Sequence, residues 1–194
     1  MFTHTPYPPS SPNSTRGLLG FLICASLLLA VFQSAAEPQP PSEYDVKAVF
    51  LFNFARFVEW PERKPVKPET ALVIGILGED PFGSAIERAV QDETIRDLPI
   101  IIRRSKRIED LMDCHLLYIN LPEPERVRPI LESLKGRNIL TIGEGEEFNR
   151  AGGIIAFLTR QKRIRIQINL KRAEQEGFHI SAKLLKVADL FPRD

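Results

Sequence analysis

The chain has 194 residues, with 26 lysines and arginines against 25 aspartates and glutamates, a formal charge of +1 at pH 7. That length suits one domain and is short for two. A charge so evenly balanced gives no sign of a polyelectrolyte partner such as a nucleic acid.

Residues 1–36 read as a secretory signal. Arg16 is the ionised flank, Leu18 to Phe32 is a short apolar core, and Ser34-Ala35-Ala36 supplies small residues before Glu37. The core is shorter than the roughly 20 apolar residues of a membrane-spanning helix. Cys24 follows Ile23, where a lipidated cysteine calls for a small residue. The exported chain keeps one cysteine, Cys114, so an intramolecular disulfide is excluded and packing must supply the stability. Cys114 opens an apolar strand and reads as a small buried residue, with an intermolecular bridge as the alternative. Residues 37–42 form a proline-rich leader, and 43–194 form one α/β domain.

Ser42 to Trp60 reads as one amphipathic helix. Ser42 is its N-cap, Asp45 reaches back to the cap, and Pro61 stops it after Trp60. At 100° per residue Val46, Val49, Phe50, Phe54, Phe57 and Trp60 share the apolar face, with Asp45, Arg56 and Glu59 opposite. Three residues break that pattern. Lys47 and Asn53 project within or beside the apolar face, as a snorkelling stem and a satisfied polar group. Phe52 projects among the charges, either as a scattered surface aromatic or as a contact with a second chain.

Strands follow at Thr70–Leu77, Leu98–Arg103, Cys114–Asn120 and Asn138–Ile142. The first is continuously apolar, as in a parallel sheet covered on both faces. Between them come a helix over 82–91 with Asp80 as cap and Pro81 as first residue, a short helical connection over 105–113, and a helix over 122–135 ended by Gly136. Glu144 to Arg150 reads as a charged loop or helical turn before Gly152-Gly153. Ile154–Thr159 and Arg163–Asn169 make a hairpin, the second strand having one apolar and one polar face. Lys171–Gln175 is helical, and Ser181–Leu190 is the final helix. The sum is a three-layer α/β sandwich with a flavodoxin-like, mostly parallel sheet. Its strand order is 2-1-3-4, with a C-terminal antiparallel hairpin at one edge.

Catalytic signatures are missing from the sequence. His115 and His179 lack partners at metal-ligand spacing. Gly75 to Gly83 lacks the lysine and hydroxyl of a phosphate loop and the spacing of a dinucleotide fingerprint. No G-x-S-x-G elbow is present. A receiver-type phosphoacceptor fails because the third strand ends in Asn120-Leu121-Pro122, with no carboxylate. What remains is a basic stripe of Arg160, Lys162, Arg163, Arg165, Lys171 and Arg172. It is either a solvated edge that resists strand pairing or a surface for an acidic partner.

Several stretches taken together carry a family resemblance. They are Lys47 to Pro61, Ile76 to Phe82, Cys114 to Ile119, Leu140 to Gly143, Gly152-Gly153, Arg165 to Leu170 and Ser181 to Leu185. In order and spacing this series resembles the YfiR family of periplasmic regulators, across 43–190. The resemblance implies a non-enzymatic protein without cofactor or metal. Such a protein binds the periplasmic part of an inner-membrane diguanylate cyclase and holds it inactive, which lowers cyclic di-GMP and biofilm formation. It also implies a homodimer, and sequestration by an outer-membrane lipoprotein of the OmpA type. Family members with a redox disulfide carry a cysteine in the loop before the paired glycines, and 145–151 has none. Candidate partner or ligand residues are Phe52, Arg56, Arg163 and Arg165, with Lys47, Asn53, Trp60, Asn169 and Lys183 carrying the family pattern. The alternative is a periplasmic small-ligand sensor with its pocket at the carboxyl ends of the strands.

Overall fold

The computed structural model describes residues 40–61, 70–161 and 163–192. The predicted signal over 1–36 and most of the leader lie outside the described residues. Helix α1 runs Glu43–Phe57, with the predicted capping box in place: the Asp45 amide donates to Ser42 Oγ at 3.2 Å, and the Ser42 amide to Asp45 Oδ2 at 2.9 Å. The helix stops three residues before Trp60. Val58–Glu59 (β1) leaves it to pair antiparallel with His179–Ile180 (β9), and the Ser181 amide donates to the Phe57 carbonyl at 3.0 Å. A bridge to a distant segment therefore ends the helix before proline can.

The remaining elements are β2 (Leu72–Gly78), α2 (Ala85–Val90), β3 (Thr94–Ile95), β4 (Leu98–Ser105) and a 3₁₀ turn at Ile108–Leu111. Next come β5 (Leu116–Asn120), α3 (Val127–Ser133), β6 (Leu140–Glu144) and α4 (Glu146–Arg150). The chain closes with β7 (Ile155–Arg160), β8 (Arg163–Ile168), α5 (Leu170–Gln175), α6 (Ala182–Leu185) and β10 (Ala188–Leu190). Helix α2 is shorter than 82–91. Asp80 caps a turn instead, accepting from the Phe82 amide at 2.8 Å, while Ser84 takes the N-cap position.

One eight-stranded sheet runs in the order β10-β8-β7-β6-β5-β2-β4-β3. The inner order β4-β2-β5-β6 is the 2-1-3-4 arrangement, all parallel, and β7-β8 is the antiparallel hairpin. Both edges differ from the sequence reading. The final helix ends at Leu185, and β10 pairs parallel with β8, Ala188 opposite Ile166 and Leu190 opposite Ile168. The hairpin is thus covered on its outer side where β10 runs. At the other end β3 folds back on the start of β4.

Period-2 alternation of continuously apolar strands produces two cores. On one face Ile74, Ile76, Tyr118, Ile142 and Phe157 pack under α1, α2, α5 and α6. On the other Leu77, Leu117, Ile119 and Ala156 pack under the 3₁₀ turn, α3 and α4. Cys114 lies buried in that second core. Phe148 of α4 fills a slot made by two glycines. A Cβ on Gly143 would fall 2.3 Å from its ring and one on Gly153 2.1 Å, so the paired glycines serve packing as much as turning.

Gly153→Ala is expected to cost about 1–3 kcal/mol by overpacking. In a Phe148→Leu background the same substitution should cost less. Urea unfolding of the four proteins of this cycle checks the coupling; equal costs in both backgrounds would mean the slot is not what constrains Gly153.

Candidate functional site

Lysine is seldom buried, because its ammonium loses hydration. Lys47 is 1 % exposed, on the sheet side of α1. Its Nζ lies 2.8 Å from both carboxylate oxygens of Glu144 and 2.6 Å from Glu43 Oε1. The ring of Tyr44 (4.9 Å to its centroid) and that of Phe157 (5.5 Å) complete its surroundings. Tyr118 donates its hydroxyl to Glu144 Oε1 at 2.6 Å, and Thr159 donates to Glu43 Oε1 at 2.7 Å.

The elements explain this convergence. Tyr118, Glu144 and Thr159 stand at or near the carboxyl ends of β5, β6 and β7, on the face that carries α1. Glu43 and Lys47 are one turn apart on α1. The cluster therefore clamps the first turn of α1 onto the ends of three strands. Burial alone would lower the Lys47 ammonium, but its hydrogen bonds with Glu144 and Glu43 outweigh that and hold its pKa above the ordinary lysine value. The Glu43 carboxyl is held below its usual range, chiefly by Lys47 and then by Thr159. Burial pushes the Tyr118 hydroxyl up, so it stays a donor at any physiological pH.

Lys47 is thus neither surface stem nor partner contact. Glu144 is the member that sequence reading missed. Its spacing assigns it to a charged loop or helical turn; the helical turn is present at Glu146–Arg150, but Glu144 itself extends β6, in register with Phe157. Its signal was an acid two residues beyond Ile142, on the same strand face.

The other candidates scatter. Phe52, expected among the charges, is buried in the α1-side core, because α1 is packed over a wider arc than one apolar stripe. Its ring is closed off from a partner, and Arg56 lies over it, guanidinium carbon 5.5 Å from the centroid. Val49, assigned to the inner face, is instead half exposed. Val49, Asn53 and Arg56 fall at i, i+4 and i+7 and form the outward stripe of α1.

Trp60 packs edge-on against Phe178 and points its indole nitrogen at the His115 carbonyl, 3.4 Å away, with Arg96 across its ring. Asn169 caps α5, accepting from the Arg172 amide at 3.0 Å. Lys183 is exposed on α6. Arg163 is exposed near the hairpin tip, and Arg165 bridges Asp189 of β10 at 2.7 Å. Both belong to the sheet face of Leu158 and Ala156, opposite to α1. The helix stripe and the hairpin arginines therefore do not form one surface; Lys171 and Arg172 stand on α5, on the α1 side of the sheet, and Lys162 lies outside the described residues. Gln167, expected on a polar face, is buried where Asn149 of α4 donates to its Oε1 at 3.1 Å.

At the carboxyl ends of β2 and β5, two loops lock together. The Glu79 amide donates to the Asn120 carbonyl at 3.2 Å, and Asn120 Nδ2 to the Glu79 carbonyl at 3.0 Å. Beside them lies a cavity of about 350 Å³ with an apolar wall of Leu77, Ile108, Pro129 and Ile130, and with three cations, Lys106, Arg107 and Arg126, and two acids, Glu109 and Glu125, around it.

Against known proteins, the family model described as DUF4154, YfiR/HmsC-like, matches residues 44–189. No curated protein matches the sequence. Among solved structures, one described as the ABC domain in complex with L-Trp from Streptococcus pneumonia is similar at 12 % identity and a TM-score of 0.46. That match covers 62 % of this chain and 55 % of the other, so it spans about half of that protein's length.

Lys47→Ala should destabilise the domain by about 3 kcal/mol, because it leaves Glu144 uncompensated beside Tyr118. Lys47→Met with Glu144→Gln should be more stable than Lys47→Met alone, by chemical denaturation. The Glu43 carboxyl gives a pH signature as well. Its folded pKa is depressed, so its contribution is present above the ordinary carboxylate value of 4.5 and is lost as pH falls through the folded value. Thermal midpoints of the parent should drop more steeply below pH 4.5 than those of Glu43→Gln. Parallel curves for the two proteins would remove Glu43 from the clamp.

Proposed function

Since this chain belongs to the YfiR/HmsC-like family, we propose that it is a periplasmic regulator without enzymatic activity. It binds the periplasmic segment of an inner-membrane diguanylate cyclase and holds that enzyme inactive, which lowers cyclic di-GMP and biofilm formation. The family match across 44–189 carries this reading. A signal over 1–36 delivers the chain across the inner membrane in this scheme, and an outer-membrane lipoprotein of the OmpA type relieves the inhibition by sequestration. The regulator acts as a homodimer. Inhibition of this kind needs differential affinity for the inactive state of the cyclase, not chemistry of its own.

The contact surface proposed for the cyclase is the outward stripe of α1, Val49, Asn53 and Arg56. It pairs an apolar residue with a guanidinium, on a helix held rigidly by the Lys47 clamp. Rigid presentation reduces the ordering cost of binding. Arg163, on the opposite face, is a second contact, suited to an acidic segment.

A small-ligand sensor is the second reading. The cavity beside the β2 and β5 loops favours it, because ligands of open α/β sheets bind at the carboxyl ends of strands on either side of a strand-order reversal.

Affinity capture from detergent-solubilised membranes of the source organism, read by mass spectrometry, should return a diguanylate cyclase with a periplasmic segment. Arg56→Glu combined with Val49→Glu should weaken that capture about tenfold or more, an interfacial loss of the hot-spot size, with urea unfolding unchanged. Capture of no membrane protein by the folded chain, together with saturable thermal stabilisation by a metabolite, would replace the regulator reading with the sensor reading.

A further inference from the structure

Sheet edges are where backbone hydrogen-bonding groups lie open, and the two edges of this sheet are treated differently. At one end β8 is covered by β10. At the other, β3 pairs with β4 only through Thr94–Pro99 and Ile95–Leu98. From Ile100 to Ser105, among the described residues, no strand lies beside β4 on its outer side. This open run reads Ile-Ile-Ile-Arg-Arg-Ser, and Ile101 is 49 % exposed. Ile100 and Ile102 line an open groove of about 510 Å³ between this edge and α2, with Val90 beside them. Natural edges are ordinarily blunted by charge, proline or a bulge along their length. Here the two arginines are drawn to local acids, Arg103 to Asp113 and Arg104 to Asp80 and Glu87, and three isoleucines stand in sequence without such protection.

We infer that the outer edge of β4 is the interface through which two copies of this chain join, antiparallel, into one continuous sheet. The inference takes up the self-association of the proposed function and gives it a location. A two-fold axis perpendicular to the sheet keeps each face on its own side, so paired residues must have the same parity and the axis must pass through a residue. An axis through Arg103 would set two arginines opposite each other, which is repulsive. An axis through Ile102 pairs Ile102 with its counterpart, Ile101 with Arg103 and Ile100 with Arg104, with no like charges opposed.

The flanks agree with that register. Exposed acids Asp92, Glu93 and Asp97 lie at the β3 end of the edge, where Arg96 turns away over Trp60. Exposed Lys106 lies beyond its other end, followed by Arg107, which stands 3.6 Å from Glu109. Antiparallel pairing brings the acidic end of each copy to the basic end of the other, a self-complementary arrangement. The end of the second copy's β4 abuts β3, so β3 limits the pairing to the open window.

Cysteine cross-linking tests the register. In the purified protein, Ile102→Cys places two thiols across the axis, on Cα atoms about 4.5–5.5 Å apart. Ile100→Cys, on the same face, places its two thiols four residues apart along the strands, about 13 Å at ~3.3 Å per residue. Mild oxidation should yield a covalent dimer from Ile102→Cys at least ten times faster than from Ile100→Cys, with the parent chain setting the background from Cys24 and Cys114. Sedimentation equilibrium of Ile101→Lys, a change at an exposed site, should show loss of the dimer with circular dichroism intact. A dimer that forms without preferential Ile102 cross-linking, or that survives Ile101→Lys, overturns the β4 interface and leaves the homodimer standing elsewhere. A parent protein that stays monomeric at tens of micromolar overturns both.

Discussion

A lysine ammonium sealed from water must meet its counter-charge inside the fold, and for Lys47 that requirement organises the domain. Its two acids come from different places. Glu43 lies one turn back on α1, and Glu144 lies at the end of β6. The ion group can close only when α1 lies across the carboxyl ends of the strands, with its first turn over β5 to β7. A buried pair of this kind yields little net stability, because desolvation offsets most of the attraction. It punishes every arrangement that separates the charges, so its effect is to specify position. Tyr118 and Thr159 extend the same logic by donating to oxygens that Lys47 also contacts, Glu144 Oε1 and Glu43 Oε1.

With the sheet side of α1 committed to the clamp and to Ala48, Leu51, Phe54 and Ala55, the opposite side is free to be surface. Its outward stripe is short and chemically mixed. The basic stripe of the hairpin lies on the other sheet face and is partly neutralised, Arg160 by Glu146 and Arg165 by Asp189. The clamp and the sheet hold these surfaces in fixed positions, as the contact role proposed above requires. The clamp holds the helix, and the pairing of β1 with β9 fixes where it ends.

The sheet itself is asymmetric. Its β10 edge is short, and among the described residues its β4 edge keeps a longer open window that starts with three isoleucines. That difference follows from chain order. The C-terminal segment returns to cover β8, whereas β3 is too short to cover β4.

How much of this was legible beforehand depends on the range of the forces involved. The capping box of α1, the apolar runs of β2 and β5, the alternation of β8 and the order of the parallel strands are set by local chemistry and by the handedness of crossovers, and they can be read from spacing alone. The inward face of α1 could not be read in this way. The helix carries Val46, Ala48, Val49, Phe50, Leu51, Phe52, Phe54, Ala55 and Phe57, so it is apolar nearly all round and a wheel does not select one side. Packing against the sheet selected it, burying Lys47 and Phe52 and turning Val49 outward. The same holds for Glu144, whose place depends on a partner 97 residues away. It holds also for Ala188–Leu190, which local propensity marks as helix and pairing with β8 draws into a strand. Local propensities are worth tenths of a kilocalorie per residue, and burial or a ladder of hydrogen bonds outweighs them. The sequence by itself therefore determined the start of α1, the parallel strands and their order. Only tertiary structure decided which side of α1 meets the core, which acids neutralise its lysine, and which sheet edge stays open among the described residues.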